Sequence, residues 1–244
     1  MKDKCIIMFH QGWTDIILCI GLIWYNLDNY KNVVLIIRND SEKLIGFIFR
    51  NIKNIHIDFI DKKLLDNIHY RNNVFDTYTK HGYDINLYGG SINQKVIPIS
   101  SNGDKYYFYK TYNIDENLSI QNFIIERDYE LEDTTYKQLI NEIGDKYVII
   151  FDDKNRKLSI NRSKIVNKEI PQFNLCESSK ICFDLIKILE NSQEIHILST
   201  FWSLIIYQLQ KKYGLFKNIP IYFHESVRPG YYNSLYENNN WLIV

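Results

Sequence analysis

The stretch Cys5-Ile-Ile-Met-Phe9-His10-Gln11-Gly12-Trp13-Thr14-Asp15 decides the predicted fold. An apolar run ends there at a turn that contains a glycine, and a helical pattern of apolar residues follows. This periodicity predicts a buried strand over residues 4–10 and a helix over residues 15–28, capped by Thr14. In an open α/β protein such a turn lies at the carboxyl end of the sheet, where ligands bind. We therefore expect a small-molecule site beside Asp15.

The first half of the chain continues this alternation of strands and helices. We predict strands over residues 33–38 and 55–60, separated by a helix that begins after Asn39-Asp40-Ser41 and reaches about residue 52. The β-α-β-α-β order predicts a parallel sheet with right-handed crossovers. Further along we predict a strand over 74–78, a loop over 82–91 and a helix over 106–112 capped by Asp104.

A second α/β pattern fills the other half. A helix over 132–143 stops at Gly144, which acts as its C-terminal cap. Three strands are predicted over 147–151, 194–198 and 221–223, with helices over 183–191 and 200–212 and an apolar terminal piece over 241–244. We therefore predict two Rossmann-like lobes with mostly parallel sheets, over residues 1–130 and 131–244.

Composition narrows the class of protein. Lys+Arg and Asp+Glu number 29 each, and this balance argues against a nucleic-acid partner because such binders carry excess basic charge. Cys5, Cys19, Cys176 and Cys182 form no Cys-x-x-Cys pair and no spacing typical of a zinc site, so we expect reduced thiols. The opening residues lack the pattern of a signal peptide and no apolar run is long enough to span a bilayer. We expect a cytoplasmic protein without a transmembrane segment.

Two turns that follow predicted strands carry residues with useful chemistry. Gly12 permits close approach of the backbone, and Asp15 brings a carboxylate to a helix start. Arg156 and Lys157 follow the strand 147–151, where a guanidinium can bind a diphosphate with two hydrogen bonds. The purely structural interpretations stay open: a carboxylate in a first helical turn is also common capping chemistry, and a charged turn is also a common solvated surface.

Two further turns also follow predicted strands and lie at the same, carboxyl end of the strands. Ser199 and Thr200 sit at a helix start, where hydroxyls and exposed amides suit a phosphate. His224 and Arg228 belong to a polar loop after the strand 221–223, in a position to contact a ligand. His196 lies inside a strand, and we interpret it as a half-buried histidine with its hydrogen bonds satisfied, not as a catalyst. An ordinary Ser/Thr cap and an ordinary surface loop are the structural alternatives at these two turns.

Taken in order, these segments resemble a glycosyltransferase family of the GT-B type. The resemblance is carried by residues 10–22, 125–130, 151–157, 183–209 and the pair Arg228-Pro229. Small viral and bacterial members of the family, akin to heptosyltransferases and fucosyltransferases, share this layout. It implies two Rossmann-like lobes facing a cleft, with the acceptor in lobe 1–130 and a nucleotide-sugar donor in lobe 131–244. It implies neither a metal nor a cofactor.

The resemblance also implies roles for particular residues. The heptosyltransferase-like branch carries a Gly-Asp base in the first strand–helix turn, and Asp15 is the matching residue here, after a two-residue spacer. The acceptor loop would be His10, Gln11, Gly12 and Trp13. The donor would be held by Arg156, Lys157, Ser199, Thr200, His224 and Arg228. Relatives often have Asp-Ser-Ser-Phe where this chain has Leu198-Ser199-Thr200-Phe201, so a carboxylate is lost at Leu198.

Three functions follow as hypotheses. The first is a metal-independent transferase that moves a sugar from a nucleotide donor to a glycan or a small hydroxyl acceptor. The second is a non-catalytic module, derived from such a transferase, that binds a nucleotide or a glycan. The third is another enzyme on two Rossmann-like lobes, such as an epimerase or a pyruvyl-type transferase, because one scaffold hosts many reactions.

Overall fold

The structure is a computed structural model that describes residues 1–9, 12–87, 107–177, 181–198, 201–224 and 241–244. The chain divides into two compact units, Met1–Ile125 and Glu126–Val244. Each unit is built on a sheet whose strand pairs are all parallel in the described residues. The predicted α/β class with two Rossmann-like halves is confirmed. The division between the units falls before residue 126, where the sequence had suggested residue 130.

The first unit alternates strands and helices. Its elements are β1 (Lys2–Phe9), α1 (Trp13–Asn29), β2 (Tyr30–Arg38), α2 (Glu42–Ile48), β3 (Ile55–Ile60), α3 (Lys62–Asp66), α4 (Ile68–Lys80), β4 (Asp84–Leu87), α5 (Tyr107–Thr111) and α6 (Leu118–Gln121). Every residue from Cys5 to Phe9 is fully buried, as expected for a central strand of a parallel sheet.

The strand order of the first sheet is β3-β2-β1-β4. From β1 the chain moves outward through β2 and β3, and it then returns to place β4 on the other side of β1. The connections therefore change direction between β1 and β4. In open α/β sheets the ligand crevice lies at the carboxyl ends of the strands that flank such a switch point. The turn after β1 occupies that position.

Helix α1 packs closely against α6, and Gly21 is the residue that allows it. A Cβ built at position 21 would lie 2.4 Å from the carbonyl oxygen of Leu118 and 2.6 Å from the Tyr109 hydroxyl. That hydroxyl donates a hydrogen bond of 3.0 Å to the carbonyl of Leu18. A glycine inside a buried helix is thus explained by the approach of a neighbouring backbone.

Two elements of the first unit differ from the sequence prediction. Residues 74–78, predicted as a strand, lie inside helix α4, where Arg71 and Phe75 are buried one turn apart. Residues 84–87, predicted as part of a loop, form the strand β4 and pair with β1. The predicted Thr14 cap is also wrong, since α1 begins at Trp13 with Gly12 as its N-cap and no side-chain cap.

The second unit begins with the longest of its helices among the described residues. Its elements are α7 (Tyr129–Ile143), β5 (Val148–Ile150), β6 (Gln172–Asn174), α8 (Ile186–Glu190), β7 (Glu194–Leu198), α9 (Phe201–Tyr213), β8 (Ile221–His224) and β9 (Leu242–Ile243). Gly144 ends α7 with a φ of 87°, which confirms its predicted role as a C-terminal cap. The predicted helix 183–191 is split into a 3-10 turn, Cys182–Leu185, and α8.

The strand order of the second sheet is β6-β5-β7-β8-β9. Numbered within the unit this is the order 2-1-3-4-5, which flavodoxin-like proteins share. The connections change direction between β5 and β7, so the predicted ligand crevice of this unit lies where those two strands end. Asp152 comes just after β5, and Leu198 ends β7.

The connection from β5 to β6 has no α-helix, although a parallel crossover usually contains one. We call residues 158–170 of this connection the covering segment. Leu158, Ile160, Ile165 and Ile170 pack from it against Val148, Ile150 and Leu198 of the sheet. A 3-10 turn, Arg162–Lys164, is its sole helical element. Some of its backbone amides bond to carbonyls within the segment, and the buried amides that do not need hydrogen-bond partners from outside it.

Arg127 joins α7 to α8 within the second unit. Its guanidinium donates to Glu132 at 2.8 Å and to Glu190 at 2.7 Å. The side chain of Glu132 has no exposed surface, so its charge depends on this arginine. Asp128 caps α7 by accepting the amide of Leu131 at 3.0 Å.

Across the described ranges, no helix combines the length and apolar character that a bilayer crossing requires.

Candidate functional site

Asp15 lies in the first turn of α1, directly after the carboxyl end of β1. The amides of Asp15 and Ile16 donate to the carbonyl of Gly12 at 3.1 and 3.2 Å, which starts the helix. The partial positive charge of a helix start favours the ionised form of a carboxylate. Asp15 is partly exposed, and its negative charge contributes with burial to raise the pKa of the Cys19 thiol. An accessible carboxylate therefore stands at the switch point of the first sheet.

The space beside Gly12 is open, and no close contact requires a glycine at this position. Its φ of −74° is open to any residue, and a Cβ built there would meet nothing within 4 Å. Trp13 beside it is 41% exposed, which is unusual for a large aromatic side chain. His10 and Gln11, the other two residues of the predicted acceptor loop, lie outside the described residues.

Arg156 and Lys157 occupy a tight turn after β5. Asp153 and Leu158 exchange two backbone hydrogen bonds of 2.8 and 2.9 Å, which close the turn between them. Asp153 also accepts the Arg156 amide at 3.1 Å and pairs with its guanidinium at 2.5 Å. Lys157 has φ 55° and ψ 40°, a left-handed conformation that a lysine rarely adopts. The turn thus presents a lysine and an arginine whose charge Asp153 partly balances.

Sequence reasoning missed Arg162. Its guanidinium pairs with Asp152, which comes just after β5 and is 13% exposed. Asp152 also accepts the amide of Ile160 at 2.9 Å, so it anchors both the backbone and the side chain of this part of the covering segment. The Arg162 side chain keeps 44% of its surface exposed. The only signal in the sequence is a basic residue a few positions beyond the Asp152–Lys157 turn.

His224, one of the predicted donor contacts, lies buried at the end of β8 with 2% of its surface exposed. Its Nε2 lies 2.9 Å from Nδ1 of His196, and Nε2 of His196 lies 3.0 Å from a carboxylate oxygen of Glu194. We call Glu194, His196 and His224 the histidine network. The prediction that His196 is hydrogen-bonded is confirmed, but its side chain is fully buried, not half-buried as expected. The Tyr222 ring stacks on it at 4.6 Å.

The hydrogen bonds of this network assign its protons. The Asn161 amide donates to Nδ1 of His224 at 3.3 Å, so that nitrogen carries no proton. The proton of His224 is then on Nε2 and is donated to Nδ1 of His196. The proton of His196 is on Nε2 and is donated to Glu194. Both rings are neutral in this arrangement, and each nitrogen has a partner.

Burial and local charge favour the neutral rings. Burial is the largest cause that lowers the pKa of His224 to about 4, and the neighbouring His196 and the positive charge of Arg162 act in the same direction. Burial also lowers the pKa of His196, against the opposing effect of Glu194. Burial alone would raise the pKa of Glu194, but hydrogen bonds from His196 and from the amides of Asn167 and Val166 outweigh it and lower the pKa. The network therefore holds one negative charge at neutral pH.

The remaining predicted donor residues lie beyond the part of the chain that the structure describes. They are Ser199, Thr200 and Arg228. Leu198, next to the first two, is fully buried in the apolar cluster beneath the covering segment. Position 198 therefore brings an apolar side chain, and no carboxylate, to the end of β7.

A groove of about 280 Å³ lies at the other end of the first sheet, beside the amino-terminal ends of its strands. It is lined by residues at the start of β1 and β2 and by Tyr25, Asn29 and Tyr112. Because ligands of open α/β sheets bind at the carboxyl ends of the strands, we do not assign the site to this groove.

Comparison with known proteins identifies a similar fold. A glycosyl transferase family 9 protein from Veillonella parvula superimposes on the chain with a TM-score of 0.59. The match covers 100% of this chain and 86% of that protein, at 11% sequence identity. No protein-family model and no curated protein matches the sequence. At this identity the likeness shows that the two proteins share a fold.

Proposed function

We propose that the protein is a glycosyltransferase that moves a sugar from a nucleotide-sugar donor to a hydroxyl acceptor. The observation that carries the proposal is the position of charged residues at the two switch points. A carboxylate, Asp15, follows β1 in the first sheet, and the cations Arg156, Lys157 and Arg162 follow β5 in the second. The fold shared with a glycosyl transferase family 9 protein supports the same reaction class.

Asp15 suits the role of general base. An acceptor hydroxyl must lose its proton as it attacks the anomeric carbon, and a carboxylate within hydrogen-bond reach accepts that proton. A helix start favours a negative charge such as that of a carboxylate. The open space above Gly12 and the exposed ring of Trp13 would admit a glycan or a small acceptor beside it.

The cations after β5 suit the leaving nucleoside diphosphate. That group gains negative charge as the glycosidic bond to the donor breaks, and cations held in place beforehand stabilise it. Arg156 is held by Asp153 and Arg162 by Asp152, so both guanidinium groups are fixed before a ligand binds. No metal enters this scheme, and we predict that a chelator leaves turnover unchanged.

Variants at the two switch points test the proposal. Sugar transfer is measured with a panel of nucleotide sugars, and nucleoside diphosphate affinity is measured by calorimetry. Asp15→Asn should lower turnover by about 100-fold or more while diphosphate affinity stays within about twofold. Arg156→Ala should weaken diphosphate binding by about tenfold. Lys146→Ala removes an exposed cation before the amino-terminal end of β5, away from the proposed site. It should change neither turnover nor diphosphate affinity.

Two results would count against the assignments. Turnover of Asp15→Asn equal to that of the wild type would remove Asp15 as the base. Equal diphosphate affinities for Arg156→Ala and Lys146→Ala would remove Arg156 from the donor site.

A second function is favoured by Leu198. Because residue 198 is a leucine, the end of β7 lacks the carboxylate often found there in members of the resembled family, and the side chain packs in an apolar cluster. A non-catalytic module that binds a nucleotide or a glycan would tolerate that loss. Nucleotide sugars that raise the melting temperature through binding, without either transfer or hydrolysis, would identify such a module.

A further inference from the structure

The histidine network supplies the hydrogen bonds that the covering segment needs. His224 accepts the amide of Asn161 at 3.3 Å. Glu194 accepts the amides of Val166 at 3.3 Å and Asn167 at 2.5 Å. Three backbone donors of a segment without an α-helix are thus satisfied by side chains from two neighbouring strands. The network connects the segment to β7 and β8.

Arg162 follows one of these three anchored positions. Its backbone neighbour, Asn161, is bound to His224, and its guanidinium is bound to Asp152. Its charge also acts on both buried rings, lowering the pKa of His196 and of His224. Arg162 therefore lies near the ends of β5 and β8 and is fixed through both its backbone and its side chain.

We propose that Glu194, His196 and His224 are positioning residues for Arg162, which contacts the diphosphate of the donor. The network holds the covering segment against the sheet, so the guanidinium keeps its place at the switch point between β5 and β7. This inference rests on the proposed function, and it assigns a role to three buried polar residues that the transfer chemistry does not use. A guanidinium already oriented loses less side-chain entropy on binding an anion.

A double-mutant cycle separates positioning from plain stabilisation. Inorganic pyrophosphate serves as the probe, and its affinity is measured by calorimetry at pH 7 for four proteins: wild type, Arg162→Ala, His224→Leu and the double variant. We expect each single variant to bind about tenfold more weakly and the double variant to bind no more weakly than Arg162→Ala. The two effects then fail to add, because both act through the same guanidinium.

A conservative variant provides the rescue. In His224→Gln the amide oxygen can accept from Asn161 and the amide nitrogen can donate to His196, so affinity should return to within about twofold of the wild type. Hydrogen exchange of residues 158–170 should rise in His224→Leu and stay low in His224→Gln. Glu194→Gln, at the other end of the network, gives a second route should His224→Leu fail to fold, with raised exchange and weaker binding expected.

The outcomes separate this inference from the proposed function. Wild-type affinity in His224→Leu, or in Glu194→Gln, with raised exchange in the covering segment would overturn the positioning role and leave the donor site intact. Full additivity of Arg162→Ala and His224→Leu would overturn it as well. A wild-type protein that binds neither pyrophosphate nor any nucleotide sugar would overturn the donor site itself, and the role of Arg162 with it.

Discussion

Lys157 combines a left-handed backbone with a cationic side chain at the turn after β5. Non-glycine residues in this region of φ and ψ cost about 1 kcal/mol or more, and such positions concentrate at functional sites. The hydrogen bonds that Asp153 makes with Arg156 and Leu158 hold the turn in this shape. A glycine would remove the strain, so a lysine here points to a use for its side chain.

Lys157→Gly tests that use. Relief of backbone strain is offset by the greater entropy of the unfolded chain, so the free energy of unfolding should change by less than about 1 kcal/mol. If Lys157 contacts the donor, nucleoside diphosphate affinity should fall about threefold to tenfold, as measured by calorimetry beside urea unfolding. An unaltered affinity would mean that the side chain of Lys157 does not contact the donor.

Helices α1 and α2 each contain a glycine, and the two differ in what surrounds them. Position 21 faces the Leu118 carbonyl of α6, whereas a Cβ at Gly46 of α2 would meet nothing within 4 Å. Gly21→Ala should lower the free energy of unfolding by about 1–3 kcal/mol, because the clash with a backbone exceeds the gain in helix propensity. Gly46→Ala should raise it by up to about 1 kcal/mol. Urea unfolding measures both, and a stabilised Gly21→Ala would contradict the packing described for α1 and α6.

The junction of α7 and α8 depends on one arginine. Arg127→Met leaves the buried carboxylate of Glu132 without its cation, and loss of one partner of a buried pair costs about 3–5 kcal/mol. Arg127→Met combined with Glu132→Met should recover most of that loss, because apolar residues of similar volume can replace a buried pair. Thermal and urea unfolding measure both variants. Equal stability of the single and double variants would show that Glu132 finds another partner.

Elements with a clear period were predictable, and those decided by distant contacts were not. Residues 194–198 form a strand with the bounds that the apolar run predicts. Residues 74–78 are rich in strand-forming residues, yet Tyr70, Val74 and Tyr78 pack on one face of α4 against the first sheet. The helical spacing was present in the sequence, but strand propensity outweighed it in the prediction. The short strand β4 lies between glycines that are typical of a loop, so its pairing with β1 is the feature that defines it.

At the scale of the whole molecule, the sequence predicted two parallel sheets and residues at their carboxyl ends, but it could not predict the histidine network. Glu194 and His196 share a strand, whereas His224 joins them only because β8 pairs with β7 in one register, with Leu198 beside His224. Asn161, Val166 and Asn167 reach the network through an irregular segment that has no periodic pattern. Side chains that act together across separate elements need the register and the path of the chain, which composition and spacing do not contain.

This network makes the stability of the folded chain depend on pH. An unfolded histidine has a pKa of about 6.5. The pKa of His224 is about 4, because burial and the neighbouring His196, Arg162 and Lys164 lower it and Asp152 opposes them only in part. Between these values the unfolded chain binds a proton that the folded chain does not. The free energy of unfolding should therefore fall as the pH is lowered from 6.5 towards 4, by up to about 3 kcal/mol for His224. His196, whose pKa is also lowered, acts in the same direction, and the lowered pKa of Glu194 extends the loss of stability to more acidic pH.

Urea unfolding of the wild type at pH 7, 6 and 5 measures how steeply the free energy of unfolding depends on pH. Residue 224 cannot be protonated in His224→Gln, so the slope of that variant should be shallower. An equal loss of stability in the variant would assign the acid sensitivity to groups other than His224.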